Sequence, residues 1–574
     1  MSAVASPHEA LQQPGTRRLP SWAPEASFVA LLALGVVLVL VETRGLSFFG
    51  DEWDFVLDRR GMSAGVLLQP HGPHLVLVPI LVYKVLLQLF GAGSYLPFRL
   101  LAAFDLVLVA LVVGIVCRDR WGRWWGLAPV LLLVTLGPGG VTLLWPFQVG
   151  YAVAIAAGLA ALIALDRNGR RTDLVCCVAL IVSLASGSQG IAFLVGAAVM
   201  LAFRPNWRRR SWVVVVPAIL YLLWYARYGH QYSETHLSLW NTSLSYSMQA
   251  LSATLAGTFG LSSVSPQTGL LDITFGVPLA IAAVAAVAIA SWRGWRARAL
   301  FWGTAATLVV AWVAASVSNY GAFSRPPNDP RYLSSNVALL LICVCLALPR
   351  PRLARTGVIV AVLVLTVIAA TNADQYRQAR TSLLASDVAS RAELGALLLV
   401  RGIVPPQFSP AVPGDPAVLV NVQAGPFFSA VDSFGVDADS PAALLAQDET
   451  TRERADGVLE RGELQLSPAA GGERISSAPP TALSGTHRVA GGCLIVGGGP
   501  LGIRTPAGRY ELAAAKSGSV TVEMGRFAST YDAQLGTVPA HSVAIVSVPA
   551  DRAPQIPWRM LLTGPGGRVC RVGT

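Results

Sequence analysis

The chain has 574 residues, 53% of them hydrophobic and only 13% charged, with a net charge of +11 and a mean hydropathy of +0.55. A soluble domain carries about 25% charged residues, so a soluble cytosolic enzyme is excluded. An intrinsically disordered chain, which needs low hydrophobicity and high charge, is excluded as well. What is left is a polytopic membrane protein.

Residues 1–26 are polar and read as a disordered cytoplasmic tail. Apolar runs lie near 27–43, 98–117, 125–140, 148–165, 173–187, 189–203, 211–227, 273–291, 299–317, 332–348 and 356–371, which predicts about 11 transmembrane helices in a module spanning 27–371. The first run follows Arg17 and Arg18 without a small-residue cleavage site and reads as a retained anchor. The basic residues cluster between alternate runs, at 118–123, 166–171, 204–210, 293–298 and 350–355. With Arg17 and Arg18 these clusters hold 18 of the 26 Lys and Arg before residue 372. The positive-inside rule therefore sets the N-terminus inside and everything after 371 outside. That assignment requires the further apolar run 74–90 to lie at the outer surface as an interfacial or re-entrant helix rather than to cross. Residues 372–574 hold 17 basic and 18 acidic residues, so the basic excess is a topology signal and not a nucleic-acid surface.

The outer loops carry the candidate chemistry. FFGDEWDF (48–55) sets Asp51, Glu52 and Asp54 directly after a span, as a general-base or cation site or as a solvated loop in an aromatic belt. His71 and His74 follow, three apart. They could ligate a metal with Asp51 or Glu52, or could sit plainly at the interface. Lys84 lies in the helix after them, where it could snorkel to headgroups. Asp105 is an ionisable residue inside the second span, either functional or wet. LLWPFQVGY (143–151) and ASGSQG (185–190) offer aromatic faces, Gln148 and Gln189 to a polyol. Loop 228–272, with His230, Tyr232, Glu234, His236 and Trp240, reads as an amphipathic helix on the membrane over 237–261. In 318–335, Arg325 and Arg331 lie outside against the charge trend. They suit an anionic headgroup held in bidentate fashion, or a salt bridge from Arg331 to Asp329 or Asp51.

Residues 372–404 read as a helical connector and 405–574 as an extracytoplasmic β-rich domain, β-sandwich-like. Strands are predicted at 416–422, 462–467, 487–498, 509–514, 519–527, 542–549, 557–564 and 567–572, with one helix near 441–460. Phe427, Phe428, Tyr531 and Trp558 are its candidate sugar-stacking aromatics, or else core. Five cysteines lie in or beside apolar runs, and an exported domain would pair the other two, Cys493 and Cys570, in a disulfide.

The order of these pieces resembles the GT-C superfamily of polyprenyl-phosphate-sugar-dependent glycosyltransferases, which includes protein mannosyltransferases and cell-wall arabinosyltransferases. The elements are Asp51-Glu52, PHLVLVPILVYKVLLQLFG (73–91), Arg99-Leu100 and PRYL (330–333), within roughly 27–350. The resemblance implies that Asp51 or Glu52 deprotonates an acceptor hydroxyl and that Arg331 with Tyr332, Lys84 or Arg325 holds the donor's phosphate. Asp54, His71, His74, Asp105 and Gln148 would support them. It implies inverting transfer to a cell-envelope glycan, lipid or protein outside the membrane, with no nucleic-acid partner. A divalent cation (Mg or Mn) is left open, because the histidines depart from the commoner Pro-Pro setting. The alternative is a transporter or lipid-linked-sugar flippase, although no internal repeat is visible.

Overall fold

The computed structural model describes residues 20–573 except 233–235, 294–297, 320–323, 412–418, 420, 530 and 532. The predicted tail up to residue 19, Glu234, most of the 293–298 cluster and most of the predicted strand 416–422 lie outside the described residues.

Each of the eleven apolar runs falls on a helix. Among the described residues, six helices are long and apolar enough to cross a membrane: Ala23–Glu42, Leu96–Trp121, Pro146–Asp166, Ala299–Val317, Pro330–Ala347 and the first part of Arg355–Leu399. Leu77–Phe90, Gln189–Ala202, Trp212–Arg227 and Gly276–Trp292 are shorter apolar helices. The chain is a polytopic helical membrane protein with a C-terminal β unit. Several helices are apolar on every side, as lipid requires, and Ile359, Leu363 and Val367 are exposed on the last of them.

The run 125–140 is broken. Leu127–Val134 and Gly137–Leu144 meet at a bend of 48°. Gly137 lies against Asn372 so closely that a Cβ would sit 1.8 Å from the Asn372 carbonyl oxygen, which only glycine permits. A second glycine ends Leu77–Phe90: Gly91 has φ +70°, and its neighbour Ala92 donates to the Phe434 carbonyl at 2.7 Å. The "LFG" ending is thus a helix stop docked onto the C-terminal half.

The Arg-rich loops gather at one end of the bundle. Arg118 and Arg123 pair with Glu25, Arg204 with Asp166, Arg210 with Asp173, and the Trp121 indole donates to Leu348 O. At the other end the C-terminal half packs on the loop that follows the first span. Arg60 donates to the Pro426 carbonyl at 3.2 Å, and the Trp53 and Phe427 rings meet edge to face at 5.9 Å.

Helix Ser243–Thr258 corrects the expectation of a surface helix over 237–261. Its Ser, Ala, Gly and Thr residues bury it beside Gly276–Trp292 and Ala299–Val317, since small side chains let helices approach closely. Trp240 and Leu244 at its start stay exposed.

Helix Arg355–Leu399 runs without interruption across the expected boundary at 371/372. Helices Ala424–Phe434, Pro441–Ala446 and Glu449–Glu463 follow, so the single helix predicted near 441–460 is two, split at Gln447-Asp448 where Asp448 caps the second. The strands are β1 Gln465–Ala469, β2 Thr481–Ser484, β3 His487–Ala490, β4 Cys493–Val496, β5 Leu501–Thr505, β6 Gly508–Ala514, β7 Val520–Gly525, β8 Ala533–Val538, β9 Val543–Val548, β10 Trp558–Thr563 and β11 Gly567–Arg571. They form antiparallel sheets ordered β1-β9-β6-β11-β4-β3 and β2-β5-β10-β7-β8, with Ile503, Tyr510, Val522, Met560 and Val569 in the core. Cys493 and Cys570 face each other across β4 and β11 and are disulfide-bonded. Phe427 and Trp558 are buried, so neither is free to stack on a sugar. The buried Asp456 carboxylate accepts the backbone N–H groups of Arg526, Phe527 and Ala528, which joins the helices to the sheets.

Candidate active site

Gly50, at φ +57°, turns the chain after the first span and sets Asp51 at the start of the short helix Glu52–Leu57. Residues three apart share a helix face while adjacent ones do not. Asp51 and Asp54 therefore point together, and Glu52 points elsewhere.

Glu52 has no exposed surface. Its Oε1 accepts from Tyr83 Oη at 2.6 Å and Tyr95 Oη at 3.0 Å. Its Oε2 accepts from Tyr95 Oη at 2.9 Å, Trp145 Nε1 at 3.1 Å and the Phe49 backbone N–H at 3.3 Å. Burial pushes its pKa up to about 7, against the opposing pull of those hydrogen bonds. Tyr83, Tyr95 and Trp145 belong to an aromatic box with Phe48, Phe55, Phe98 and Phe147.

Asp51 is half exposed. His71 Nε2 lies 3.6 Å from Asp51 Oδ2, and His71 Nδ1 lies 3.4 Å from Asp54 Oδ2. The His71 backbone is fixed by two hydrogen bonds with that of His74, each 3.1 Å, and its imidazole packs against the Phe55 and Phe147 rings. Asp54 also accepts from Asn421 Nδ2 of the C-terminal half at 3.2 Å; burial raises its pKa, and His71 opposes the rise. Ligand atoms of Asp51, Asp54 and His71 lie within 4.8 Å of one another. The ring turns Nε2 toward Asp51 and Nδ1 toward Asp54. The expected metal set is divided: Glu52 is enclosed, and His74 Nδ1 is 2.9 Å from Ser188 Oγ. Burial, then the charges of Arg325 and His71, lower the His74 pKa to about 4, so this histidine is neutral at pH 7.

The cationic side is built at the start of the helix Leu333–Ala347. Arg331 is half exposed and donates from Nε to Asp329 Oδ2 at 2.6 Å; its guanidinium lies 5.7 Å from the Tyr332 ring centroid. The Arg331 carbonyl accepts from Thr142 Oγ1 at 3.1 Å. Thr142 precedes Trp145 by three residues, so one short segment carries contacts to both Arg331 and Glu52. Arg325 joins from another direction, through its charge on His74 and a 2.7 Å bond from Tyr246 Oη to its carbonyl.

Two expected residues lie apart from this group. Lys84 donates to the carbonyls of Arg59 and Gly61, so its ammonium fastens the loop after the first span. Arg99 donates to the Leu40 carbonyl and, at 3.1 Å, to Thr43 Oγ1, closing the C-terminal end of the first span. Asp105 and Gln148 share a cavity with Thr142, Tyr151 and Ser334. Sequence reasoning missed Tyr83, Tyr95 and Asn421 as partners of the acidic cluster. The available signal was Tyr83, on the buried face of the helix Leu77–Phe90 that ends in "LFG".

The chain is similar to two crystal structures of ArnT from Cupriavidus metallidurans. The one bound to undecaprenyl phosphate shares 15% identity over 68% of this chain and 82% of that chain, at a TM-score of 0.43. The one in the apo state shares 14% over 67% and 82%, also at 0.43. No protein-family model and no curated protein matches the chain.

Proposed function

We propose that this chain is a GT-C-like glycosyltransferase that moves a sugar from a polyprenyl-phosphate donor to a hydroxyl of a cell-envelope glycan, lipid or protein on the outer face of the membrane. One observation carries the reading: an accessible carboxylate and an accessible guanidinium are fixed to a common scaffold, away from the Arg-rich loops. Asp51 is held by His71 beside the enclosed Glu52, and the segment 142–145 ties Glu52 to the backbone of Arg331. His74, paired to His71 and within the field of Arg325, is a second tie.

In this mechanism Asp51 takes the proton of the acceptor hydroxyl. The acceptor oxygen attacks C1 of the donor sugar from the side opposite the phosphate, and the C1–O bond to phosphate breaks. The electron pair leaves with the polyprenyl phosphate, and the configuration at C1 inverts. Arg331, with Tyr332 and Arg325, holds the phosphate as its charge grows. The positioned base contributes about 10²–10⁴-fold. Glu52 is not the base here, because its carboxyl has no open side; its role is to hold the helix that presents Asp51. Lys84 drops out of the phosphate set.

The test is glycan profiling of a deletion strain complemented with wild type or Asp51→Ala. Wild type should restore a missing envelope glycan and Asp51→Ala should not, at equal membrane levels of the two proteins. Full restoration by Asp51→Ala would remove the assigned base.

A further inference from the structure

The cavity beneath the Glu52 box holds two buried polar atoms that the fold leaves unpaired. Asp105, 8% exposed on the helix Leu96–Trp121, has no hydrogen-bond partner for Oδ1, and Gln148 has none for Oε1. Both are acceptors. Leaving a buried acceptor unmade costs about 1–3 kcal/mol, more when it is charged, so two of them in one cavity mark a place completed by something else. Thr142, Tyr151 and Ser334 bring hydroxyls to the same walls, while Leu106, Val109 and Ile155 form an apolar side.

The lining chooses the chemistry of the occupant. Unpaired acceptors call for a ligand rich in O–H donors. The lining offers no cation, so the phosphate of a lipid donor belongs outside the cavity. The apolar side suits the C–H face of a ring. A sugar ring has both surfaces. The cavity also lies between the two halves of the proposed site. Tyr83, which donates to Glu52, is within the field of Asp105, and Thr142 and Ser334 are respectively bonded to Arg331 and one turn beyond it.

We propose that this cavity receives the sugar ring of the lipid-phosphate donor, and that Asp105 and Gln148 read its hydroxyls. The proposal rests on the glycosyltransferase reading and deepens it: Arg331 anchors the phosphate, and Asp105 decides which sugar follows it in. Apolar occupants and bare lipid phosphate gain nothing from Asp105.

The experiment measures binding of the full chain in nanodiscs to undecaprenyl phosphate, bare or carrying mannose, glucose or arabinofuranose. It compares wild type, the near-isosteric Asp105→Asn and Gln148→Met. Wild type should bind at least one sugar-bearing lipid about tenfold more tightly than the bare lipid. Each variant should lose most of that preference while keeping wild-type affinity for the bare lipid, which also reports intact folding. Preference retained in both variants overturns the assignment, as does a wild type that binds bare lipid with no preference for any sugar. A wild type that binds none of these lipids overturns the glycosyltransferase reading itself, and the sugar pocket with it.

Discussion

Asp51 and Glu52 are adjacent in sequence and have opposite fates. The helix that begins at residue 52 turns one carboxylate toward His71 and water and the other into a box of four donors. Glu52 has a folded pKa near 7, above its ordinary 4.5, because burial outweighs those bonds. The sign follows from proton counting. Between about pH 4.5 and 7 the folded state keeps a proton that the unfolded chain releases. The stabilisation is complete below 4.5 and is lost as pH rises through 7. Glu52→Gln should therefore remove this part of the pH dependence. Its Oε can accept from Trp145 and Phe49, while the tyrosine hydroxyls rotate to accept from the amide. Thermal unfolding in detergent from pH 4.5 to 8 checks this: the wild type should lose more stability across the range than the variant. An identical slope in both would count against a protonated Glu52. Asp387, Glu393 and Glu463 titrate near 7 for the same reason, so the difference between the two proteins is the informative quantity. The sequence displays the acidic pair but not its division, since Tyr83, Tyr95 and Trp145 reach Glu52 from 31, 43 and 93 residues away.

At the scale of elements, legibility follows the strength of the periodic signal. Long apolar runs announce their helices without help from tertiary contacts, and all eleven runs do so here. The alternating runs at 509–514, 519–527 and 542–549 announce β6, β7 and β9. The sequence conceals β2, β5 and β8, short strands rich in Ser, Thr and Gly whose pairing comes from partners far along the chain. The run 416–422 has strand composition, yet Leu419, Asn421 and Val422 lie in an irregular segment before a helix. The break in 127–144 is likewise a matter of contact: Gly137 is where a helix from 235 residues later passes. Gly137→Ala should destabilise by about 1–3 kcal/mol, the usual cost of overpacking, or more if Asn372 cannot yield. Gly139→Ala, whose Cβ would meet only ordinary contacts from 3.6 Å, should cost less. Melting temperatures of the two variants in one detergent decide it, and equal losses would contradict the close approach.

As a whole molecule the chain is two bodies read as one by its composition. The basic excess sits in Arg clusters at one end of the bundle, where Arg118, Arg123, Arg204 and Arg210 find acidic partners. The carboxylate cluster lies at the other end, under a nearly neutral C-terminal half that supplies Asn421 to Asp54 and Phe427 to Trp53. An acceptor bound beneath that half would meet Asp51, while a lipid donor would enter from the bilayer toward Arg331. The most direct test is a transfer assay with purified wild type and Asp51→Asn in nanodiscs. It supplies the polyprenyl-phosphate-linked sugars together with envelope glycan acceptors and follows release of free polyprenyl phosphate. The account predicts release coupled to glycosylation in wild type and a loss of about 10²-fold or more in Asp51→Asn. Equal rates in the two proteins, or movement of the intact lipid-linked sugar across the membrane without release, would contradict it.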